Sequence, residues 1–328
     1  MSSESNPHDI HSIPSALPSE PNTQTRLARP HSAHPQEIGP HSPPHRHSII
    51  ILHGRGSSGD KFLELLLSTA IPPTGQTLTT VFPHARFIFP TAARTRATIY
   101  KRSYIHQWFD NWHLTHPDQR TELMIDGLRQ SVSHIHCLLQ KEIELVGAGN
   151  VVLWGLSQGC ATSLVSALCW DESPFAGVVG MCGWLPFERA MKEILKDEDE
   201  DGDEYEVLFG DEVDEEVDPL EPVPEREDED VDNVMEAVTF LREMLDMSVK
   251  KGVAFKNMPV FLGHGMNDAT VAIKLGREAR DCLGALEVDV KMVEYKGLGH
   301  WYSEEMLGDI VDFVKEKLKI ADEGGMNS

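Results

Sequence analysis

The sequence lacks a long hydrophobic run, because none of its apolar stretches approaches the ~18 residues that a membrane-spanning helix needs. A continuous apolar signal segment is also missing. The five cysteines are an odd number and stand far apart, at Cys137, Cys160, Cys169, Cys182 and Cys282. This spacing argues against a disulfide framework and favours a reducing compartment. We therefore expect a cytosolic or nuclear protein that is not secreted and makes at most peripheral contact with a membrane.

Basic residues are scarce relative to acidic ones. The chain has 29 Lys and Arg against 53 Asp and Glu, a formal net charge of -24. Most of this imbalance lies in residues 197–232, which hold 21 acidic residues and one basic residue, Arg226. A nucleic acid partner requires basic counter-charge, so we expect none. We interpret 197–232 as an acidic disordered insertion, since like charges at this density oppose compaction.

Residues 1–47 show almost no periodic apolar pattern. They contain nine of the 20 prolines and seven of the 16 histidines, a composition typical of a disordered tail. We predict one catalytic domain over residues 48–320, interrupted by the acidic insertion, and a disordered C-terminus over 321–328.

Short apolar runs alternate with helical patterns through the rest of the chain. The runs are often continuous, as buried parallel strands are, and cover residues 48–52, 87–89, 150–154, 177–182, 258–262 and 288–295. The helical patterns cover residues 122–145, 160–169, 271–286 and 303–318. This alternation predicts an α/β fold with a mostly parallel, doubly wound sheet and helices on both faces. Ligand sites in such folds gather at the carboxyl ends of the strands.

A G-x-S-x-G pattern, Gly155-Leu156-Ser157-Gln158-Gly159, joins one predicted strand to the helical pattern that follows it. In this context the glycines permit a sharp turn that exposes a serine nucleophile. The N-terminus of the following helix directs its free N–H groups at developing negative charge. An accidental match is roughly a one-in-ten event at ordinary glycine frequencies, so the pattern needs support from other residues.

An acid and a histidine follow two later predicted strands. The chain order Ser157, Asp268, His300 matches that of α/β-hydrolases and differs from the orders in the chymotrypsin and subtilisin folds. His264 precedes the acid and would give the wrong order, so we interpret it as structural. The loop at His53-Gly54-Arg55-Gly56 follows the first predicted strand, where this fold supplies an oxyanion N–H.

Several separate stretches between Ser48 and Leu318 occur in a recognisable order: Leu52-His53-Gly54, Phe82-Pro83-His84-Ala85, Trp108-Phe109-Asp110, the G-x-S-x-G turn, Gly183-Trp184-Leu185-Pro186, His264-Gly265 with Asp268, and Gly299-His300. In these stretches the chain resembles the acyl-protein thioesterase branch of the phospholipase/carboxylesterase family, which has the α/β-hydrolase fold. Such a set in the family's order is far more specific than one serine motif.

The resemblance implies a catalytic role for five residues. Ser157 would be the nucleophile, His300 the base and Asp268 the acid that orients the histidine. The backbone N–H groups of Arg55 and Gln158 would form the oxyanion hole. The resemblance implies no metal and no organic cofactor.

Four apolar residues fall in stretches that would line the substrate groove: Trp108, Phe109, Trp184 and Leu185. For Trp108 and Phe109, aromatic packing in the core is an equally good interpretation.

Three positions depart from the family's pattern. Arg55 stands where an apolar residue is usual, Cys160 replaces a second glycine, and Ala269 replaces a proline after the acid. Only Arg55 is expected to alter substrate preference, because its side chain would border the acyl site. We interpret Cys160 as a small buried helix residue rather than a redox switch.

We therefore expect a serine hydrolase that cleaves thioesters or carboxylic esters. The resemblance implies palmitoyl-cysteine of proteins as the substrate, so the partner is an acylated protein or a small ester. A general carboxylesterase or lysophospholipase differs only in the groove and stays open. An alternative of another class is a catalytically idle hydrolase fold that serves as an acidic interaction protein. Such a protein would have lost a triad residue or an oxyanion glycine, and the sequence retains them.

Overall fold

A computed structural model of the chain describes residues 34–196, 232–248 and 252–320. Residues 1–33 of the predicted tail, 197–231 of the predicted insertion and the predicted C-terminus at 321–328 lie outside these ranges.

The described residues form nine strands and eight α-helices. The strands are β1 (Gln36–Ile38), β2 (His47–Leu52), β3 (Ala85–Phe89), β4 (Arg94–Ala97), β5 (Ser103–His106), β6 (Val151–Leu156), β7 (Gly177–Met181), β8 (Val260–Gly265) and β9 (Val290–Tyr295). The helices are α1 (Gly59–Ser68), α2 (Leu78–Val81), α3 (Glu122–Val146), α4 (Gln158–Leu168), α5 (Glu188–Ile194), α6 (Asn233–Met244), α7 (Ile273–Ala285) and α8 (Glu304–Lys317). Short 3-10 helices lie at Thr98–Tyr100, Ala148–Asn150 and Ala254–Asn257.

Seven strands form one sheet in the order β1-β3-β2-β6-β7-β8-β9. All neighbouring pairs in it are parallel except β1 with β3. The strands β4 and β5 form a separate antiparallel hairpin. Each of the six predicted apolar runs overlaps a parallel strand of the sheet, and each of the four helical patterns overlaps a helix. The predicted α/β-hydrolase fold with a mostly parallel sheet is therefore confirmed.

The described residues before the predicted boundary at residue 48 include a strand of the sheet. Residues 36–38 pair with 87–89 as an antiparallel edge strand, and Glu37 forms an ion pair with Arg86. A three-residue strand is too short to show an alternating pattern, so the sequence carried no signal for it.

The central strand β6 is buried on both faces of the sheet. Val151 and Leu153 belong to the core between the sheet and α3 and α4, whereas Val152 and Trp154 belong to the core that contains α1 and α8. Side chains alternate between faces along a strand, so a strand covered on both sides is apolar throughout. This burial holds the carboxyl end of β6, where the G-x-S-x-G turn begins, in a rigid position.

The helix α6 starts at the end of the predicted acidic insertion. Asp232 is the last residue of the predicted insertion. It caps this helix, because its side chain accepts a hydrogen bond from the Met235 N–H at 3.2 Å. The buried face of α6 carries Val234, Ala237, Val238 and Leu241. The described fold therefore resumes at Asp232.

Deletion of residues 197–231, with a short Gly-Ser linker and Asp232 retained, is expected to leave the Tm within about 3 °C of wild type. The deleted segment holds 20 acidic residues and one basic residue, whose mutual repulsion opposes compaction. A second deletion that also removes Asp232 is expected to lower the free energy of unfolding by about 1 kcal/mol, because the cap is lost. Circular dichroism melting of the two variants checks both expectations. A large loss of Tm in the shorter deletion would show that the segment belongs to the core.

Candidate active site

Ser157 lies in a strained turn between β6 and α4. Its φ of 57° and ψ of -117° are unusual for a residue with a side chain, and such strain costs about 1–3 kcal/mol. The surrounding structure holds this conformation, since the Ser157 N–H donates a hydrogen bond of 2.7 Å to the Met181 carbonyl at the end of β7. The side chain is 9 % exposed. The hydroxyl is thereby held in a fixed position at the carboxyl edge of the sheet.

The two glycines of the turn are required by close backbone contacts. A Cβ at position 155 would collide with the Gly159 carbonyl group, and a Cβ at position 159 would collide with the Leu52 carbonyl oxygen at the end of β2. The turn therefore packs both against itself and against the neighbouring strand. This is the physical reason for the G-x-S-x-G pattern here.

Ser157, His300 and Asp268 form a hydrogen-bonded chain. The distance from Ser157 Oγ to His300 Nε2 is 2.9 Å, and that from His300 Nδ1 to Asp268 Oδ2 is 2.7 Å. The carboxylate can only accept, so Nδ1 carries a proton and Nε2 of the neutral ring accepts from the serine hydroxyl. The structure thus brings together three residues that lie 143 and 32 positions apart in sequence.

Asp268 is held as a carboxylate by its hydrogen bonds. Burial raises its pKa, but hydrogen bonds from His264, His300 and the Val271 N–H outweigh burial and hold the pKa well below its usual range. Its Oδ1 accepts from the N–H groups of Thr270 at 2.8 Å and Val271 at 2.9 Å. A carboxylate that stays ionised at neutral pH can orient and stabilise a histidine cation.

His264 lies close to the same carboxylate oxygen of Asp268 that His300 contacts. Its Nε2 lies 2.9 Å from the Val271 carbonyl oxygen and 3.4 Å from Asp268 Oδ2, and its side chain is buried. Because a carbonyl only accepts, Nε2 carries the proton and is not available as a base. The chain order predicts a structural role for His264, but it does not predict the contact of His264 with Asp268. Its spacing of four residues from Asp268 was the available signal.

The two predicted oxyanion residues flank Ser157. Gly54, which precedes Arg55, approaches the serine so closely that a Cβ on it would lie 3.5 Å from the Ser157 Cβ. Gln158 is the first residue of α4, so its N–H has no acceptor within the helix. Their role as oxyanion donors stays a prediction.

The side chain of Gln158 anchors a neighbouring loop. Its Oε1 accepts from the Trp108 N–H at 3.0 Å, and its Nε2 donates to the Phe109 carbonyl at 2.6 Å. The Trp108 indole N–H donates to the His53 carbonyl at 2.8 Å. These bonds tie the loop to both strand ends that border Ser157. Nothing in the sequence pattern indicated this role for the glutamine side chain.

The four residues predicted to line the groove are buried. Trp108 and Phe109 are each 1 % exposed, Trp184 is 3 % and Leu185 is 4 %. The rings of Phe109 and Trp184 meet edge to face at a centroid distance of 5.9 Å. In this structure the four side chains pack in the core, as the alternative interpretation of Trp108 and Phe109 expected. A contact with substrate stays a prediction.

One cluster of possible metal ligands occurs among the described residues, and it overlaps the same site. Cys182, Asp268 and His300 each place a ligand atom within 4.8 Å of the others. Burial raises the pKa of the Cys182 thiol to about 12, and the thiol donates to the Trp301 carbonyl at 3.3 Å. Metals bind the thiolate form, which this environment disfavours. The three residues therefore fit proton transfer better than metal binding.

The arrangement can support acyl transfer. A buried carboxylate orients the imidazole, and the imidazole is hydrogen-bonded to the hydroxyl. When the hydroxyl oxygen attacks a carbonyl carbon, the neutral form of the imidazole can take its proton. N–H groups beside the hydroxyl can stabilise the resulting oxyanion. Across the three described ranges, no helix is long and apolar enough to cross a membrane.

Comparison with protein families finds one match. The model of the phospholipase/carboxylesterase family matches residues 34–198 and 225–318. The gap between these ranges falls within the acidic segment. Because the match begins at residue 34, it includes the edge strand β1, which lies within the predicted N-terminal tail.

Known proteins similar to this chain include two fungal enzymes. Acyl-protein thioesterase 1 of Kluyveromyces lactis is 23% identical over 282 residues, which are 84% of this chain and 94% of that protein. Acyl-protein thioesterase 1 of Cryptococcus neoformans is 27% identical over 289 residues, again 84% of this chain and 94% of that protein. The crystal structure of Arabidopsis thaliana SOBER1 has a TM-score of 0.56 at 22% identity, covers 83% of this chain and 99% of its own, and supports the fold.

Gly159→Ala is expected to lower the free energy of unfolding by about 1–3 kcal/mol, because the added methyl group collides with backbone rather than with a movable side chain. Gly284→Ala is the matched control, since Gly284 lies in α7 with nothing within 4 Å of a Cβ. That substitution should be neutral or stabilising by up to about 1 kcal/mol. Urea unfolding of both variants measures the difference. Equal stabilities would contradict the close contact between the turn and β2.

Proposed function

Because the chain belongs to the phospholipase/carboxylesterase family, we propose that it is a serine hydrolase of thioester or carboxylic ester bonds, with Ser157 as its nucleophile. The observation that carries this proposal is the hydrogen-bonded chain from Ser157 through His300 to Asp268. It combines a serine at the carboxyl end of a buried strand, a histidine whose Nδ1 is hydrogen-bonded to the acid, and an acid whose pKa is held low.

In the proposed reaction, Ser157 Oγ attacks the acyl carbonyl carbon while His300 Nε2 takes the hydroxyl proton. The backbone N–H groups of Arg55 and Gln158 stabilise the oxyanion of the tetrahedral intermediate. When the carbon–sulfur or carbon–oxygen bond breaks, His300 returns the proton to the leaving thiolate or alkoxide. Water then attacks the acyl-serine with His300 again as base, which releases the acid and restores the hydroxyl.

Asp268 acts through the histidine. It accepts the Nδ1 proton and so keeps Nε2 free to receive the serine proton. It also stabilises the imidazolium that forms in each half-reaction. Because His264 and two backbone N–H groups hold the same carboxylate, its orientation is set before substrate binds.

We propose long-chain acyl groups on protein cysteines as the substrate class. Two similar fungal proteins are named acyl-protein thioesterases. Two exposed apolar residues also stand next to the triad in the sequence, since Met266 precedes Asp268 by two positions, Trp301 follows His300, and each is 41 % exposed. Apolar surface at the mouth of a site favours an apolar substrate. A carboxylesterase acting on short esters is the second candidate, because the family description includes that activity.

Ser157→Ala and His300→Ala are each expected to lower kcat on a p-nitrophenyl ester by roughly 10^4-fold or more, as the loss of one triad member does in serine proteases. Ser163→Ala is the matched control. It removes from α4 a buried serine hydroxyl that has no hydrogen-bond partner among the described residues, and it should retain activity. Labelling by a fluorophosphonate probe should require Ser157. Unlabelled wild type, or an active Ser157→Ala variant, would remove the basis of the proposal and favour an interaction protein.

A series of acyl chains on one cysteine peptide tests the substrate class. We expect kcat/KM to rise from butyryl to palmitoyl by roughly one to two orders of magnitude, the gain from burying about two or three more methylenes at about 0.8 kcal/mol each. A lysophospholipid in the same assay provides the comparison with lipid substrates. If the butyryl substrate is preferred, the enzyme is a general carboxylesterase, and if the lysophospholipid is preferred, it is a lysophospholipase.

A further inference from the structure

Arg55 carries a cationic side chain on the residue whose backbone N–H is predicted to form part of the oxyanion hole. Its Nη2 donates a hydrogen bond to Asn111 Oδ1, and Asn111 is buried. Asn111 belongs to the loop that the Gln158 side chain anchors through the Trp108 and Phe109 backbone. The guanidinium therefore belongs to one predicted oxyanion residue, Arg55, and contacts a loop that is anchored by the other, Gln158.

Two of the three guanidinium nitrogens have no hydrogen-bond partner in the described ranges. Arg55 Nε and Nη1 are both buried and unpartnered there. An unpaired buried donor loses its hydration without compensation, which typically costs about 1–3 kcal/mol and more for a charged group. Burial lowers the pKa of this guanidinium, as expected for a cation withdrawn from water. Such groups in folded proteins call for a specific explanation.

Asp110, a carboxylate in the same loop as Asn111, is committed to other donors. Asp110 Oδ1 accepts from the Thr98 N–H at 2.9 Å and the Asn111 N–H at 3.0 Å, and its Oδ2 accepts from the Thr98 hydroxyl at 2.5 Å. Asp110 does favour the charged form of Arg55 at longer range. Arg277, by contrast, forms two hydrogen bonds of 2.7 Å with Glu294. Arg55 thus has a charge and free donors but, among the described residues, no carboxylate bound to it.

We propose that Arg55 forms an anion subsite that binds a carboxylate or phosphate group of the substrate close to the scissile carbonyl. A planar guanidinium with free N–H groups matches two oxygens of such an anion. The subsite would select, among acyl thioesters and esters, those with a negative charge on the acyl chain or on the leaving group. This inference rests on the proposed function, since it names the substrate class of the same site.

Two pairs of esters locate the charge. The acyl-side pair is mono-4-nitrophenyl glutarate and its methyl ester, and the leaving-group pair is 4-carboxyphenyl butyrate and its methyl ester. The readout in each pair is the ratio of kcat/KM for the anionic ester to that for the neutral ester, determined in wild type and variants. Any effect of a substitution on the oxyanion hole cancels in this ratio.

We expect Arg55→Leu to lower this ratio by about tenfold in one of the pairs, the size of effect that a lost hydrogen bond to a charged group produces. Arg55→Lys should retain part of the preference, because it keeps the charge but not the planar fork. The wild-type ratio should also fall as salt is added. Arg280→Leu is the matched control, since Arg280 is exposed on α7 and pairs with its neighbour Asp281, and it should leave both ratios unchanged. Unchanged ratios in Arg55→Leu for both pairs would overturn the proposal.

A structural role for Arg55 predicts a different result. If the guanidinium only supports the loop, Arg55→Leu should lower the Tm and reduce turnover of anionic and neutral esters equally. If it is an unpaired cation kept for binding, Arg55→Leu should lower the ratio for an anionic ester, whatever change in Tm follows from the loss of the donor to Asn111 Oδ1. Melting curves and the ratios together separate the two cases.

A binding measurement separates this proposal from the proposed function. Calorimetry with monomethyl glutarate and with dimethyl glutarate is carried out on Ser157→Ala and on Ser157→Ala with Arg55→Leu. We expect the anionic ligand to bind the first protein and to lose at least about tenfold in affinity for the second. Binding that depends on Arg55 without ester turnover in wild type would keep the subsite and reject the hydrolase. Turnover with neither binding nor a charge preference would reject the subsite alone.

Discussion

The packing of the Gly155–Gly159 turn against the end of β2 is the contact on which the site depends. It brings the strand that leads to Ser157 to within backbone contact of the strand that leads into the predicted oxyanion loop. Because both contacts involve main-chain atoms, no side-chain movement could make room for a residue larger than glycine at either position. The strained backbone of Ser157 persists because β7 and α4 hold it from either side. The Ser157 hydroxyl and the predicted oxyanion loop consequently have fixed relative positions.

Asp268 is held by residues behind it as well as by His300. The backbone N–H groups of Thr270 and Val271 donate hydrogen bonds to its carboxylate, and His264 Nε2 lies 3.4 Å from it. They keep the carboxylate ionised although it is buried, so the histidine receives a fixed hydrogen-bond acceptor. The arrangement also explains why the acid tolerates Ala269, since its orientation depends on hydrogen bonds with donors further along the chain.

Two departures from the family pattern have different physical consequences. Cys160 occupies space left by Gly180 and Gly183, since a Cβ on either glycine would collide with the cysteine side chain. Burial raises the pKa of its thiol far above the usual range, which agrees with a small packing residue rather than a redox switch. Arg55 is not compensated in this way, because two of its nitrogens are buried without a partner among the described residues. A substitution that is costly for stability and lies next to the reacting groups is most simply explained by what it binds.

The sequence by itself determined the parallel sheet, the chain order of Ser157, Asp268 and His300, and the turn at Ser157. The sheet follows from local apolar runs, and the turn follows from glycines placed where a side chain would collide with backbone. It could not predict the three-residue strand β1 or the cap at Asp232, whose signals are short and depend on neighbours distant in sequence. Only the tertiary structure decided that Trp108 and Phe109 lie in the core and that His264 contacts the acid. It also showed that the Gln158 side chain anchors a loop and that Arg55 has unpaired donors. These features depend on which atoms fill the space around a side chain, and that is set by packing between elements far apart in the chain.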